Sequence, residues 1–227
     1  VSELAVEHLS WRAAELVVVD LETTGLDPLL DEIISFAAIP IREGRVRPAE
    51  LVSTLLRPRR PPPAAGIRIH GLRETDLRRQ PTLAERIDLI AGALEGAVLV
   101  AHCAWIETRF LGGALAEHDR SLRGPAIDTM ALGSAVLAQR GIACPEGPSL
   151  EFLARALGLP VHRPHHADGD ALTTAQVFIA LASHLGREHD ATIGELARAT
   201  RPRGSLRDRL PARAAKKLLR GRREEQG

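Results

Sequence analysis

The chain has 227 residues, 44% of them hydrophobic and 26% charged, enough for one sizeable α/β domain with its own core. No apolar run reaches the length of a membrane span, the first residues lack the character of a signal peptide, and Cys103 and Cys144 stand alone, so neither a zinc ribbon nor a disulfide framework is suggested and a reducing cytoplasm without membrane contact is expected. The net charge of +1 hides an asymmetry: eleven Lys/Arg face three Asp/Glu from Arg198 onward, leaving 19 basic and 26 acidic residues in positions 1–197. An acidic body with a basic tail is a poor sequence-independent duplex binder, but it can gather carboxylates to hold cations.

The expected organisation is an N-terminal extension (1–14), a domain (15–197) and a basic tail (198–227). Leu16-Val17-Val18-Val19-Asp20-Leu21 is a β-branched apolar run that predicts a buried strand. Strands over 32–41 and 51–56 complete an opening meander, and Pro58 to Pro63 forms a stiff connector. Next come a helix over 82–94, a strand over 97–101 and a helix over 104–117. A short strand ends at Ile127, with Asp128 capping the helix that follows. Residues 149–157 predict a helix closed by Gly158, and residues 169–185 the last long one. Strands in a meander, then alternating with helices, imply a mixed sheet with helices on its faces.

Three segments carry chemistry. Asp20 and Glu22 are two apart in a strand, so both carboxylates point to one side, where a divalent cation would offset their burial. Alone, such a pair is more often a solvated strand end than a metal site. Glu107 lies in the first turn of a helix that follows the strand ending at Ala101-His102, where an acid also compensates the helix dipole. In His165-His166-Ala167-Asp168-Gly169-Asp170, His165 and Asp170 flank a helix start and can serve one site as base and ligand; Asp168 is expected as the N-cap.

These segments together resemble the DnaQ-like (DEDDh) 3′→5′ exonucleases, a family that includes the proofreading epsilon subunit of bacterial DNA polymerase III. Val18-Val19-Asp20-Leu21-Glu22-Thr23-Thr24-Gly25-Leu26-Asp27-Pro28 resembles the first exonuclease motif. Ile69-His70-Gly71-Leu72 resembles the family's substrate-side element, Ala101-His102 with Phe110-Leu111 the second motif, and His165-x-Ala167-x-x-Asp170-Ala171 the third. The resemblance implies a ribonuclease-H-like fold, a mixed five-stranded sheet flanked by helices. It implies two Mg²⁺ or Mn²⁺ ions on Asp20, Glu22, Glu107 and Asp170, with His165 as general base. Thr23, Thr24, Leu26 and His70 would bind the terminal nucleotide of single-stranded DNA or RNA, and a DNA polymerase subunit is an expected partner. The second motif usually reads A-H-N-A-x-F-D; here Cys103, Ile106 and Glu107 take the Asn, Phe and Asp places, and His102 reads as structural.

Three other readings compete. One is an RNA-trimming enzyme of the same fold, and another is a catalytically weak nucleic-acid-binding module, which the Glu107 departure favours. The third is a zinc site drawn from Cys144, His162, His165, His166 and Asp168.

Overall fold

A computed structural model describes residues 3–186 and 190–200. After a short helix α1 (Glu3–Glu7), the β-branched run forms β1 (Leu16–Thr23). The chain turns through residues 24–32 into β2 (Ile33–Arg42), the two-residue β3 (Arg45–Val46), a 3-10 turn (Pro48–Glu50) and β4 (Val52–Leu55). Beyond the proline connector come α2 (Ala64–His70) and α3 (Glu74–Leu77), then α4 (Leu83–Leu94), whose N-cap Thr82 forms a capping box with Glu85. The remainder alternates: β5 (Val98–Ala101), α5 (Trp105–Ala116), β6 (Ala126–Asp128), α6 (Thr129–Gln139), α7 (Leu150–Ala156), α8 (Ala167–Leu185) and α9 (Ile193–Ala199).

The sheet has the order β3-β2-β1-β5-β6, with β4 also paired to β2. β1 and β2 are antiparallel, whereas β1-β5 and β5-β6 are parallel. This is the mixed, helix-flanked sheet expected, widened from five strands to six by β3.

Alternation along β1 divides the core in two. Leu16 and Val18 face one side, with Trp11, Ile39, Val100 and Ile127, beneath α6, α7, α8 and α9. Val17 and Val19 face the other, with Phe36, Ala38 and Leu99, beneath α4 and α5. Both β1 and β5 are therefore covered on both faces, which explains their continuous apolar runs.

The N-terminal segment joins this core. Trp11 is fully buried and meets Phe178 edge-to-face at 5.7 Å. Its backbone N–H donates to Ala191, and that of Ile193 donates back to Leu9. Of the basic tail, everything from residue 201 lies outside the described residues. Among those described, no helix is long and apolar enough to cross a membrane.

Two helix boundaries differ from expectation. α8 begins at Ala167, with His166 as N-cap, so Asp168 falls inside the first turn. There its Oδ2 accepts from Arg163 Nη1 at 2.8 Å, an ion pair across the loop instead of the expected cap. α2 and α3 were not anticipated: α2 has seven residues with a glycine inside, too short to show a helical period.

Candidate active site

Asp20 and Glu22 continue the face of β1 that Leu16 and Val18 begin, so they point toward α8. α8 lies across β1 and β2 and carries Asp170 in its first turn. One carboxylate oxygen from each of Asp20, Glu22 and Asp170 lies within 4.8 Å of the others. A register shift in the β1–β2 pairing falls between Glu22 and Thr23, at the point where the strand delivers its second acid.

Glu107 arrives from the other side, in the first turn of α5. It is 4% exposed, and its Oε2 has no hydrogen-bond partner among the described residues. It is close enough that its charge helps raise the pKa of Asp20, after burial and ahead of Asp170 and Glu22. Burial, and then repulsion from Asp128, holds Glu107 itself well above the usual carboxylate range. Burial and Asp170 push Glu22 up to about 7. Asp170 rises to about 6 through burial, opposed by the hydrogen bond it accepts from the His165 backbone.

Among the described residues no ion pair reaches any of these four acids. Four carboxylates, Glu107 buried and Asp20, Glu22 and Asp170 half-buried, are costly together without an ion-pair partner, and they offer the hard oxygen donors that Mg²⁺ and Mn²⁺ prefer. The residues present therefore fit a divalent-metal centre.

Asp128 does more than the capping read from the sequence. Its Oδ1 accepts from Met130 N at 2.9 Å, as N-cap of α6, and also from Cys103 N at 3.0 Å. It thereby fixes the β5–α5 turn from which Glu107 projects. Cys103 sits in that turn at φ +71°, a left-handed conformation that Asn, the residue usual in the family there, adopts more readily. His102 is spent in the fold: Nε2 donates to the Pro148 carbonyl at 3.2 Å and Nδ1 meets Thr129 Oγ1 at 3.0 Å. Burial lowers its pKa to about 4, so it is neutral near pH 7.

A groove beside the acids is lined by Glu22, Ser53, His70, Leu72, Arg163 and His165, among others. His70 is buried, and its Nδ1 accepts from Leu72 N at 3.1 Å, which puts the proton of its neutral form on Nε2. The imidazole of His165 is more than half exposed, with Nε2 3.9 Å from Glu151 Oε1. Thr24 is buried and its hydroxyl serves the loop, donating to Asp31 Oδ1 and accepting from Glu32 N. Thr23 is half-buried and donates to the Gly25 carbonyl, while Leu26 is half-buried in the same loop.

The zinc alternative is not assembled. His162 Nε2 meets Gln176 Oε1, His166 Nδ1 meets the Pro164 carbonyl, and Asp168 pairs with Arg163. Among the described residues, the acids at 20, 22 and 170 form the one group spaced to share an ion.

Sequence reasoning missed Gly169. A Cβ there would lie 2.4 Å from the His162 carbonyl oxygen and 2.6 Å from that of Arg163. Only glycine lets the 162–163 backbone cross the first turn of α8 so closely. The signal, a glycine between the two acids of Asp168-Gly169-Asp170, is visible but has no meaning until the crossing strand of backbone is known.

A family model described as Exonuclease (RNase_T) matches residues 17–178. The chain belongs to the RNase_T exonuclease family. Within it, the chain is 37% identical over 193 residues to a DNA polymerase III subunit epsilon-like protein of Rhodobacter capsulatus, covering 84% of this chain and 27% of that protein. It is 30% identical over 185 residues to DNA polymerase III subunit epsilon of Treponema pallidum, covering 81% of each. The chain thus spans about a quarter of the length of the first relative and most of the second. Among solved exonucleases it resembles exonuclease X in complex with 5′-overhanging duplex DNA, with a TM-score of 0.63 and 25% identity over 82% of this chain and 99% of that one. It also shares the fold of E. coli exonuclease I in complex with a dT13 oligonucleotide, with a TM-score of 0.67 and 19% identity over 77% and 42% of the two chains. The DnaQ-like, ribonuclease-H-like membership read from the motifs stands.

Proposed function

We propose that this protein is a divalent-metal-dependent exonuclease that removes nucleotides from the 3′ end of single-stranded nucleic acid, DNA by preference, releasing nucleoside 5′-monophosphates. The observation that carries this reading is the convergence of Asp20, Glu22 and Asp170 within 4.8 Å beside a groove that also holds His70 and His165.

Asp20, Glu22, Glu107 and Asp170 would hold the metal, two Mg²⁺ or Mn²⁺ ions in this reading, which supplies charge neutralisation at the scissile phosphate and a more acidic water. His165, on an exposed loop whose backbone donates to Asp170, takes the proton of the attacking water. His70, which lines the groove, and Leu26 would contact the terminal nucleotide, Leu26 by packing against its base, and Thr23 and Thr24 shape the loop that carries Leu26. The preference for DNA is supported by the DNA named with exonuclease X and by the relatives named as DNA polymerase III subunits. Those relatives also support partnership with a DNA polymerase, and the two free cysteines support a reducing cytoplasmic setting.

The test is product analysis. Chromatography of a digested oligonucleotide should show nucleoside 5′-monophosphates alone, and a 3′-phosphorothioate end should block their release. Oligonucleotide fragments appearing early, or release that ignores the blocked end, would contradict the reading.

A further inference from the structure

Residues 57–79 contain seven arginines, at 57, 59, 60, 68, 73, 78 and 79, against two acids, Glu74 and Asp76. The rest of positions 1–197 holds 12 basic and 24 acidic residues, so this segment is a positive island on a negative body. All seven arginines are exposed. Among the described residues only Arg59 of the seven forms an ion pair, with Glu32 Oε1 at 3.0 Å. The Arg59 backbone N–H donates to the other oxygen of Glu32, so this pair fastens the segment to the loop after β1.

Topology fixes where the island lies. β1 and β4 both run antiparallel to β2, so β4 ends at the same end of the sheet where β1 delivers Asp20 and Glu22. The chain leaves β4 there and enters the arginine segment. α2 then packs against the loop after β1: a Cβ on Gly66 would lie 3.0 Å from His70 Nε2 and 3.8 Å from the Thr24 carbonyl oxygen. His70, Leu72 and Asp76 of this segment line the groove that Glu22 and His165 also line.

Seven exposed guanidinium groups on one short segment, in excess over its acids, attract a polyanion. Arginine also grips phosphate with two parallel hydrogen bonds and reads no base in doing so. We propose that residues 57–79 bind the phosphates of a single nucleic-acid strand upstream of its terminal nucleotide and lead that strand past His70 to the acid cluster. This rests on the exonuclease reading above and adds to it the surface that holds the strand behind its terminal nucleotide.

The test compares two full-length variants in an Asp20→Asn background. One replaces Arg60, Arg68, Arg78 and Arg79 by Gln. The control replaces Arg45, Arg120, Arg123 and Arg140, which are exposed and lie outside the segment, the first three by the opposite ends of β2 and β6. Binding of a labelled twenty-nucleotide single strand is followed by fluorescence anisotropy across a salt series. The first variant should bind at least about tenfold more weakly near 0.1 M salt, with a log–log salt slope shallower by about 1.4 or more, the loss of two or more single-strand phosphate contacts. The control should stay near the parent. Equal binding and slope in the two variants would overturn the proposal and leave the island to a different partner, such as an acidic protein. Hydrolysis of the same twenty-nucleotide strand by the wild-type chain with Mn²⁺ separates the two readings. If it fails, the exonuclease reading falls, while the binding comparison still decides this one.

Discussion

The backbone N–H of His165 donates to Oδ2 of Asp170 at 2.8 Å. The residue read as general base thus hangs from a residue read as metal ligand, and His165 reaches that position through a left-handed backbone, at φ +61°. Asn tolerates this conformation far better than a β-branched residue does. His165→Asn should therefore keep the loop and the metal site while losing the base. Its kcat should fall by roughly 10²–10⁴, with the Mn²⁺-induced rise in Tm unchanged. Full activity in this variant would move the base elsewhere.

Asp20 is the acid most crowded by others, with Glu107, Asp170 and Glu22 all raising its pKa beyond the effect of burial. Removing its charge should stabilise the metal-free protein. Asp20→Asn is expected to melt higher than wild type in EDTA, by roughly 2–4 °C for each kcal/mol of repulsion relieved. It should gain nothing from Mg²⁺ or Mn²⁺ and lose activity by about 10³ or more, near 4 kcal/mol in barrier. A variant that melts lower in EDTA would mean the carboxylate is a structural partner and not a strained one.

The pH dependence follows from Glu22 and Asp170. Burial holds their pKa values at about 7 and about 6, above ordinary values of 4.5 and 3.8. Between about pH 4 and 7 the folded protein therefore binds protons that the unfolded chain has released, and stability falls as pH rises through that window. Without metal, Glu22→Gln and wild type should have similar urea midpoints below pH 4.5. The variant's advantage over wild type should then grow as pH rises to 8, and Mg²⁺ should narrow the gap. A gap independent of pH would show that Glu22 is not strained in the fold.

Two glycines separate packing from positioning. At Gly133 a Cβ would meet the Leu153 side chain at 2.4 Å, and at Gly169 it would meet backbone carbonyls at 2.4 and 2.6 Å. Either change to Ala should cost roughly 1–3 kcal/mol in stability. Only Gly169→Ala displaces the 162–163 backbone that leads into His165, so only it should also lower kcat for the folded fraction. Equal kcat in the two variants would remove the positioning role of Gly169.

Much of this was legible in the sequence, for identifiable reasons. The β1 run, the Asp128 cap and the α8 pattern are local signals, carried by residues close together in the chain. The spacing of Asp20 and Glu22 is a local strand property as well. What escaped depends on distant segments meeting. The start of α8 is set by His166, whose carbonyl accepts from Asp170 N, and not by the better capping residue Asp168, which Arg163 claims. Asp128 reads as a cap of α6, but its grip on Cys103 exists only because β5 and β6 lie side by side. The arginine island is plain in composition, yet its significance depends on β4 ending level with Glu22, across β2.

The most direct test is a time course on 5′-labelled single-stranded DNA with Mg²⁺, Mn²⁺ or EDTA, run beside Asp20→Asn. The account predicts a ladder that shortens one nucleotide at a time from the 3′ end with either metal and is absent in EDTA and in the variant. Well-folded wild-type protein that binds Mn²⁺ but leaves the strand intact would contradict it, and Glu107 would then mark an exonuclease fold kept for binding alone.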